Sequence, residues 1–180
     1  ALDAARGADE AVGAARGARG GAQAETLTLA GVAHRLPGFE MRTITFTKQA
    51  PEEVAALRAA FNGGARRDFL TDLGTRRADE LRAAGMSEAD IARIAGGRLP
   101  QGYQVHHIRP LDGGGGNDVS NLVLIRGNPE HALLTNHQNA LTRDMLPGET
   151  RRLEWPVPSR PSAVIPDGPG NAAVPVSGGG

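Results

Sequence analysis

Polar and apolar residues alternate over Thr26-Leu27-Thr28-Leu29-Ala30 and again over Arg42-Thr43-Ile44-Thr45-Phe46-Thr47. Period-two alternation with frequent β-branched residues predicts two short strands, each with one buried face. His34 falls in the expected loop between them and is given no role. The period then changes. Pro51-Glu52-Glu53 is a helix start, with proline in the first turn and two acids at the positive end of the dipole. Val54, Leu57 and Phe61 supply its apolar face, and Asn62-Gly63-Gly64 is expected to end it. Further helices are expected from Arg66 to Leu73, stopping at Gly74, and from Arg76 to Ala84, stopping at Gly85. Ser87 with Asp90 forms a capping-box-like start for a fourth, which carries Ile91 and Ile94 to Gly96.

From Tyr103 to Asn139 the pattern changes again, to strand, long glycine-rich turn (Asp112 to Asp118), apolar strand (Leu122 to Ile125), and a helix opened by Pro129 with His131 in its first turn. This unit, two strands and a helix, holds four of the five histidines. Side chains that follow one another on a strand point to opposite faces, so His106 and His107 can do different work. Arg109 lies two residues beyond His107, on the same expected face, and is the preferred phosphate clamp; Arg126, ending the second strand, is a further candidate. A surface ion pair is the alternative for either. Arg66, Arg67, Arg76 and Arg77 are read as a solvated helix face rather than a groove lining. Gly113 to Gly116 are followed by no Lys-Ser/Thr and are expected only to make the turn. Trp155 is expected to be a packing anchor.

Composition narrows the chemistry. The 180 residues suffice for one domain with a core, although only 39% are apolar and 3% aromatic. Residues 1–24, rich in Ala and Gly, read as a linker or a frayed helix, and residues 156–180, rich in Pro, Gly and Ser, as an extended or disordered tail. Between them, residues 25–100 form the expected helical and short-strand scaffold and 101–155 the site-bearing core. The start at Ala1 suggests a piece cut from a longer chain, with methionine removal as the alternative. The absence of cysteine excludes disulfides and thiolate zinc sites. Twenty Lys+Arg balance twenty Asp+Glu, so no bulk positive charge is available to hold nucleic acid. Lys48 is the only lysine, and arginine forks suit phosphate, although a GC-rich genome explains the same bias. No apolar run approaches membrane-spanning length, and no signal peptide is visible.

His106-His107, the Gly-Gly turn, Asn117-Asp118, Ser120-Asn121-Leu122 and His131 together resemble an HNH (ββα-metal) nuclease over about 40 residues. The resemblance is greatest to the C-terminal HNH domains of bacterial polymorphic toxins, whose lead-in the preceding GMSEADIARIAGGRLPQGYQ also resembles. It implies an α+β fold, with a ββα-metal core packed on the helical and short-strand scaffold. It implies a metal-dependent DNase in which His106 and His131 bind one divalent ion and His107 is the general base. Asn121 would hydrogen-bond across the hairpin loop and fix the position and tautomer of His107. Many such nucleases carry a second helical histidine four residues after the first; here that position is Thr135. His137 is an additional candidate ligand, but it lies about 240° around an ideal helix from His131. With two firm ligands the ion would keep several waters, which favours Mg²⁺, with Mn²⁺, Zn²⁺ or Ni²⁺ as alternatives. The toxin resemblance further implies a cognate immunity protein and delivery as a secreted effector into the cytoplasm of a target bacterium. The alternatives are an HNH nuclease with a restriction or housekeeping role, and a noncatalytic nucleic-acid-binding module stabilised by its metal.

Overall fold

The computed structural model describes residues 25–166 and 172–177, in a mixed α+β architecture; the expected linker at residues 1–24 lies outside them. The expected strands form. Strand β1 (Glu25–Leu29) buries Leu27 while Thr26 and Thr28 face solvent, as the alternation requires. It pairs antiparallel with β2 (Val32–Leu36), so His34 lies on a strand and not in a loop; its Nδ1 is 3.0 Å from the Val32 carbonyl. Strand β3 (Phe39–Thr47) is longer than the alternation suggests, because all nine residues find antiparallel partners on β6 (Thr150–Pro158).

Glycine placement explains where the helices depart from expectation. Helix α1 (Pro51–Ala60) does not end at Asn62-Gly63-Gly64 but widens into a π-helical turn over Phe61–Ala65 and runs on as α2 (Arg66–Arg76). A glycine stops a helix when it turns left-handed, and neither Gly63 nor Gly64 has positive φ. Gly74 likewise does not end α2: it is a close-packing position, where a Cβ would lie 2.3 Å from the Ala95 amide nitrogen. Arg77, at φ −125°, breaks the chain before the shorter α3 (Ala78–Ala83). Helix α4 (Glu88–Ala95) begins as expected, with the Ser87 hydroxyl accepting from the Asp90 amide at 3.1 Å.

Strands β4 (Tyr103–His107) and β5 (Leu122–Arg126) form the central hairpin, and the helix after it enters through Pro129 and continues as α5 (Ala132–Thr142). The described part of the expected tail, residues 156–166 and 172–177, is instead built into the fold. Strand β7 (Val164–Ile165) adds parallel to β5, and β8 (Val174–Pro175) adds antiparallel to β2. Ala163, Val164 and Ile165 are almost wholly buried, an apolar segment too short to register against its Pro- and Ser-rich flanks. The three-stranded sheet β4-β5-β7 separates two cores. One face, with Val105, Leu122 and Leu124, meets Phe69, Leu73, Leu81 and Ile94 of the helices. The other, with Val123 and Ile125, meets Leu133 and Leu134 of α5 and Leu27 and Leu36 of the β1-β2 sheet. Trp155 and Phe46 close a third cluster, their ring centroids 5.4 Å apart, and the Trp155 indole donates to the Ile108 carbonyl at 3.1 Å. Trp155 is thus a packing anchor, as its sequence context suggests.

Candidate functional site

The end of the hairpin opens on a cavity of ≈ 400 Å³ lined among others by His106, His107, His131, Arg58, Thr135 and Gln138. In register, His106 stands opposite Val123 and His107 opposite Leu122. The two imidazoles therefore leave the strand on opposite faces, His106 toward α5 and His107 toward the α1 end, yet both line the cavity.

His106 is buried, at 6% exposure, and its ring meets that of His131 edge-on with centroids 5.5 Å apart. Neither ring has a hydrogen-bond partner among the described residues. Burial, and after it the neighbouring His131 and His107, push the His106 imidazole down to about 3, and burial lowers His131 as well. Both rings are neutral at physiological pH, the form in which imidazole has a lone pair to offer. Thr135, one helical turn past His131, lines the same cavity, as does Gln138, whose buried carboxamide Nε2 meets no acceptor among the described residues. Among the described residues no group of three or more His, Cys, Asp or Glu side chains is arranged to hold a metal ion. His137 does not join the pair: it lies off the cavity against the backbone of Glu154, as its angular offset on α5 requires.

His107 is half-buried against the Phe61 ring, centroid to centroid 4.6 Å. Its Nε2 lies 2.9 Å from Asn117 Oδ1, and Asn117 Nδ2 donates to the Leu57 carbonyl at 2.9 Å. Burial lowers the His107 proton affinity, the Asn117 contact raises it, and the nearby Arg58 charge lowers it. The expected partner, Asn121, works elsewhere. Its Oδ1 accepts from the Arg109 amide at 2.8 Å, and its Nδ2 donates to the Arg109 and Gly116 carbonyls at 2.9 and 2.8 Å. Asn121 does bridge the hairpin loop, but it pins the backbone there and does not touch His107.

Arg109 is not a free clamp. The chain leaves the strand after His107, and the Arg109 guanidinium turns back to donate to the Gly113 carbonyl at 2.8 Å and to the Thr45 carbonyl, stapling the glycine turn to β3. Arg126 pairs with Tyr103 at the far end of the hairpin, four residue pairs from His107 and so about 13 Å along the strand. Arg67 and Arg76 each pair with an acid of their own helix, Arg77 pairs with Glu80 of the helix that follows it, as a solvated face would, and Arg66 lies over the Phe61 ring. The cation at the cavity is Arg58, exposed, on α1, and paired with no acid among the described residues. Sequence reasoning missed Arg58 and Gln138, and placed Asn117 in the motif without giving it a role. The available signal was only that Arg58 lies one residue past Leu57 and three before Phe61, on a helix whose apolar face had to dock somewhere.

The chain is 38% identical over 125 residues to the uncharacterized protein YhhZ of Escherichia coli (strain K12), a match covering 69% of this chain and 31% of that protein. The chain thus spans less than a third of the length of this relative. No family model matches the chain, and no solved structure does.

Proposed function

We propose that the chain is a metal-dependent endonuclease of the HNH type, with a ββα-metal core formed by β4, β5 and the helix from Pro129. The observation that carries this reading is the convergence of His106, His107 and His131 on one cavity, the first and last as a facing neutral pair and the second isolated on the other strand face. His106 and His131 fit a divalent cation: both are held neutral and both leave their ring nitrogens uncommitted. With two imidazoles the ion would keep several waters; Zn²⁺, Ni²⁺ and Mn²⁺ accept imidazole nitrogen, whereas Mg²⁺, which prefers oxygen, would be held chiefly through its waters. Such an ion, when bound, supplies positive charge to a phosphate oxygen and to the leaving oxygen.

His107 takes a proton from a water molecule, whose oxygen then attacks phosphorus. The phosphorus–oxygen bond to the departing sugar breaks, and that oxygen takes up a proton from solvent. Arg58 replaces Arg109 as the phosphate clamp, since its fork is uncommitted and faces the same cavity as His107. The substrate is DNA. The resemblance to polymorphic-toxin nucleases supports an antibacterial effector acting in the target cytoplasm and neutralised by an immunity protein. Among the described residues no helix is long and apolar enough to cross a membrane.

The test is plasmid cleavage by the purified chain with Mg²⁺, Mn²⁺, Zn²⁺ or chelator, beside His107→Ala. Metal-dependent nicking that the variant loses is the expected result. Full activity in His107→Ala would sink the base assignment, and no cleavage of DNA or RNA under any metal would sink the nuclease.

A further inference from the structure

We propose that Asn117 is the positioning residue that selects the tautomer of His107, leaving Nδ1 as the atom that accepts the proton. This deepens the nuclease reading and rests on it for the identity of the base. The argument begins with the Leu57 carbonyl, which can only accept a hydrogen bond. The Asn117 atom 2.9 Å from it must therefore be the amide nitrogen, which removes the usual ambiguity between the two ends of a carboxamide. The opposite end, Oδ1, then faces His107 Nε2 at 2.9 Å. An amide oxygen accepts only, so Nε2 carries the hydrogen, and a neutral imidazole with a hydrogen on Nε2 has its lone pair on Nδ1.

Leu57 and Phe61 make this relay possible. The Phe61 amide already donates to the Leu57 carbonyl where α1 gives way to the π-helical turn, and a carbonyl has two lone pairs, so the second is open to Asn117. Phe61, first residue of that turn, also packs its ring on His107. Local π-helical turns occur often at functional sites. Here the turn lets one helix end supply both the ring that orients the imidazole and the acceptor that orients its partner.

The experiment reads nitrogen resonances of the His107 ring in metal-free protein, without substrate, above neutral pH. Wild type should show the Nε2–H form alone. Asn117→Ala should let the Nδ1–H form appear beside Nε2–H, because the ring's own preference for Nε2–H is modest without an acceptor to enforce it, whereas Asn117→Asp keeps an acceptor oxygen in reach and should retain Nε2–H. With metal and DNA, Asn117→Ala should lower kcat by about 10–100-fold, the range of groups that orient an essential histidine, with little change in KM. Asn117→Asp should recover part of that loss. Asn117→Ser, too short to reach His107, takes the place of the alanine variant if that one does not fold. A His107 ring that stays wholly Nε2–H in Asn117→Ala, or an unchanged kcat, overturns the proposal. If wild type cuts neither DNA nor RNA, the nuclease reading falls, while the ring measurement still decides the role of Asn117.

Discussion

Substituting Gly115 by alanine tests whether the hairpin loop is held by close approach. Gly115 is buried and its φ is not positive, so backbone conformation alone does not demand glycine. On that ground alone alanine would stabilise by about 0.4–1 kcal/mol, by restricting the unfolded chain. Space decides otherwise. The new Cβ would lie 1.9 Å from the Arg109 carbonyl oxygen and 2.9 Å from Asn121 Nδ2. A carbon–oxygen contact sits at about 3.3–3.6 Å, so the loop strands must part by roughly 1.5 Å. The neighbour is backbone, pinned on both sides by Asn121, and cannot swing away. Strain of about 1–3 kcal/mol, with loss of about two hydrogen bonds worth roughly 1 kcal/mol each, outweighs the entropic gain and leaves a net cost of about 2–4 kcal/mol. For a chain of this size that is a fall in Tm of roughly 5–15 °C. The assay is thermal unfolding by circular dichroism beside Gly63→Ala, a helical glycine with nothing within 4 Å of its added Cβ. Gly63→Ala should be neutral or stabilising by up to about 1 kcal/mol. If the two variants melt within a degree or so of each other, the close-approach argument is wrong.

Three other perturbations separate the parts of the site. Arg58→Ala should leave Tm unchanged, weaken DNA binding, and reduce the salt slope of binding by about one unit, measured by fluorescence anisotropy; an unchanged slope would return the clamp to another residue. Thr135→His places an imidazole one turn past His131 in the same cavity. It should tighten Zn²⁺ binding in calorimetry by about tenfold or more, a scale that even groups around metal ligands reach. For the metal-free protein, His106 is held near 3 against an ordinary 6.5, so between those values the unfolded chain binds the extra proton. Its contribution is complete above pH 6.5 and is lost as pH falls toward about 3, amounting to on the order of a few kcal/mol. Tm followed into mild acid in chelator should therefore fall less steeply in His106→Asn than in wild type; parallel curves would refute it.

What the sequence made legible follows from the range of the forces involved. Alternation exposed β1 and β3, the Ser87 cap is a local hydrogen bond, and strand geometry alone put His106 and His107 on opposite faces. Each depends on residues a few positions apart. The readings that failed depend on distant partners. Gly74 is the residue that would end a helix, and only the approach of Ala95 explains its place within one. Asn117 and Asn121 are equally polar residues of one loop. Which of them reaches His107 is decided by where Leu57 docks, sixty residues earlier in the chain. Arg109 was sought on a strand face, but the strand ends at His107, and the glycine turn supplies carbonyls that capture the guanidinium.

The same loop explains how one cavity can hold a neutral imidazole pair and an isolated imidazole without mixing their roles. His106 and His131 face each other across the sheet–α5 core, where burial removes protons from both. His107 faces the α1 end, where burial lowers its proton affinity, the Asn117 contact opposes that lowering and the Arg58 charge adds to it. A ligand and a base make opposite demands on an imidazole: the first must shed its proton at all working pH values, the second must gain and lose one. Two adjacent residues can meet both demands only if they enter different environments. Alternation along β4 supplies the two directions, and the loop from Ile108 to Asn121 supplies the acceptor for the second. Asn121 and Arg109 fix that loop's backbone, and Asn117 is the side chain it presents. The proposed division of labour therefore depends on the loop as much as on the histidines, and loosening it should disturb His107 before it disturbs the facing pair.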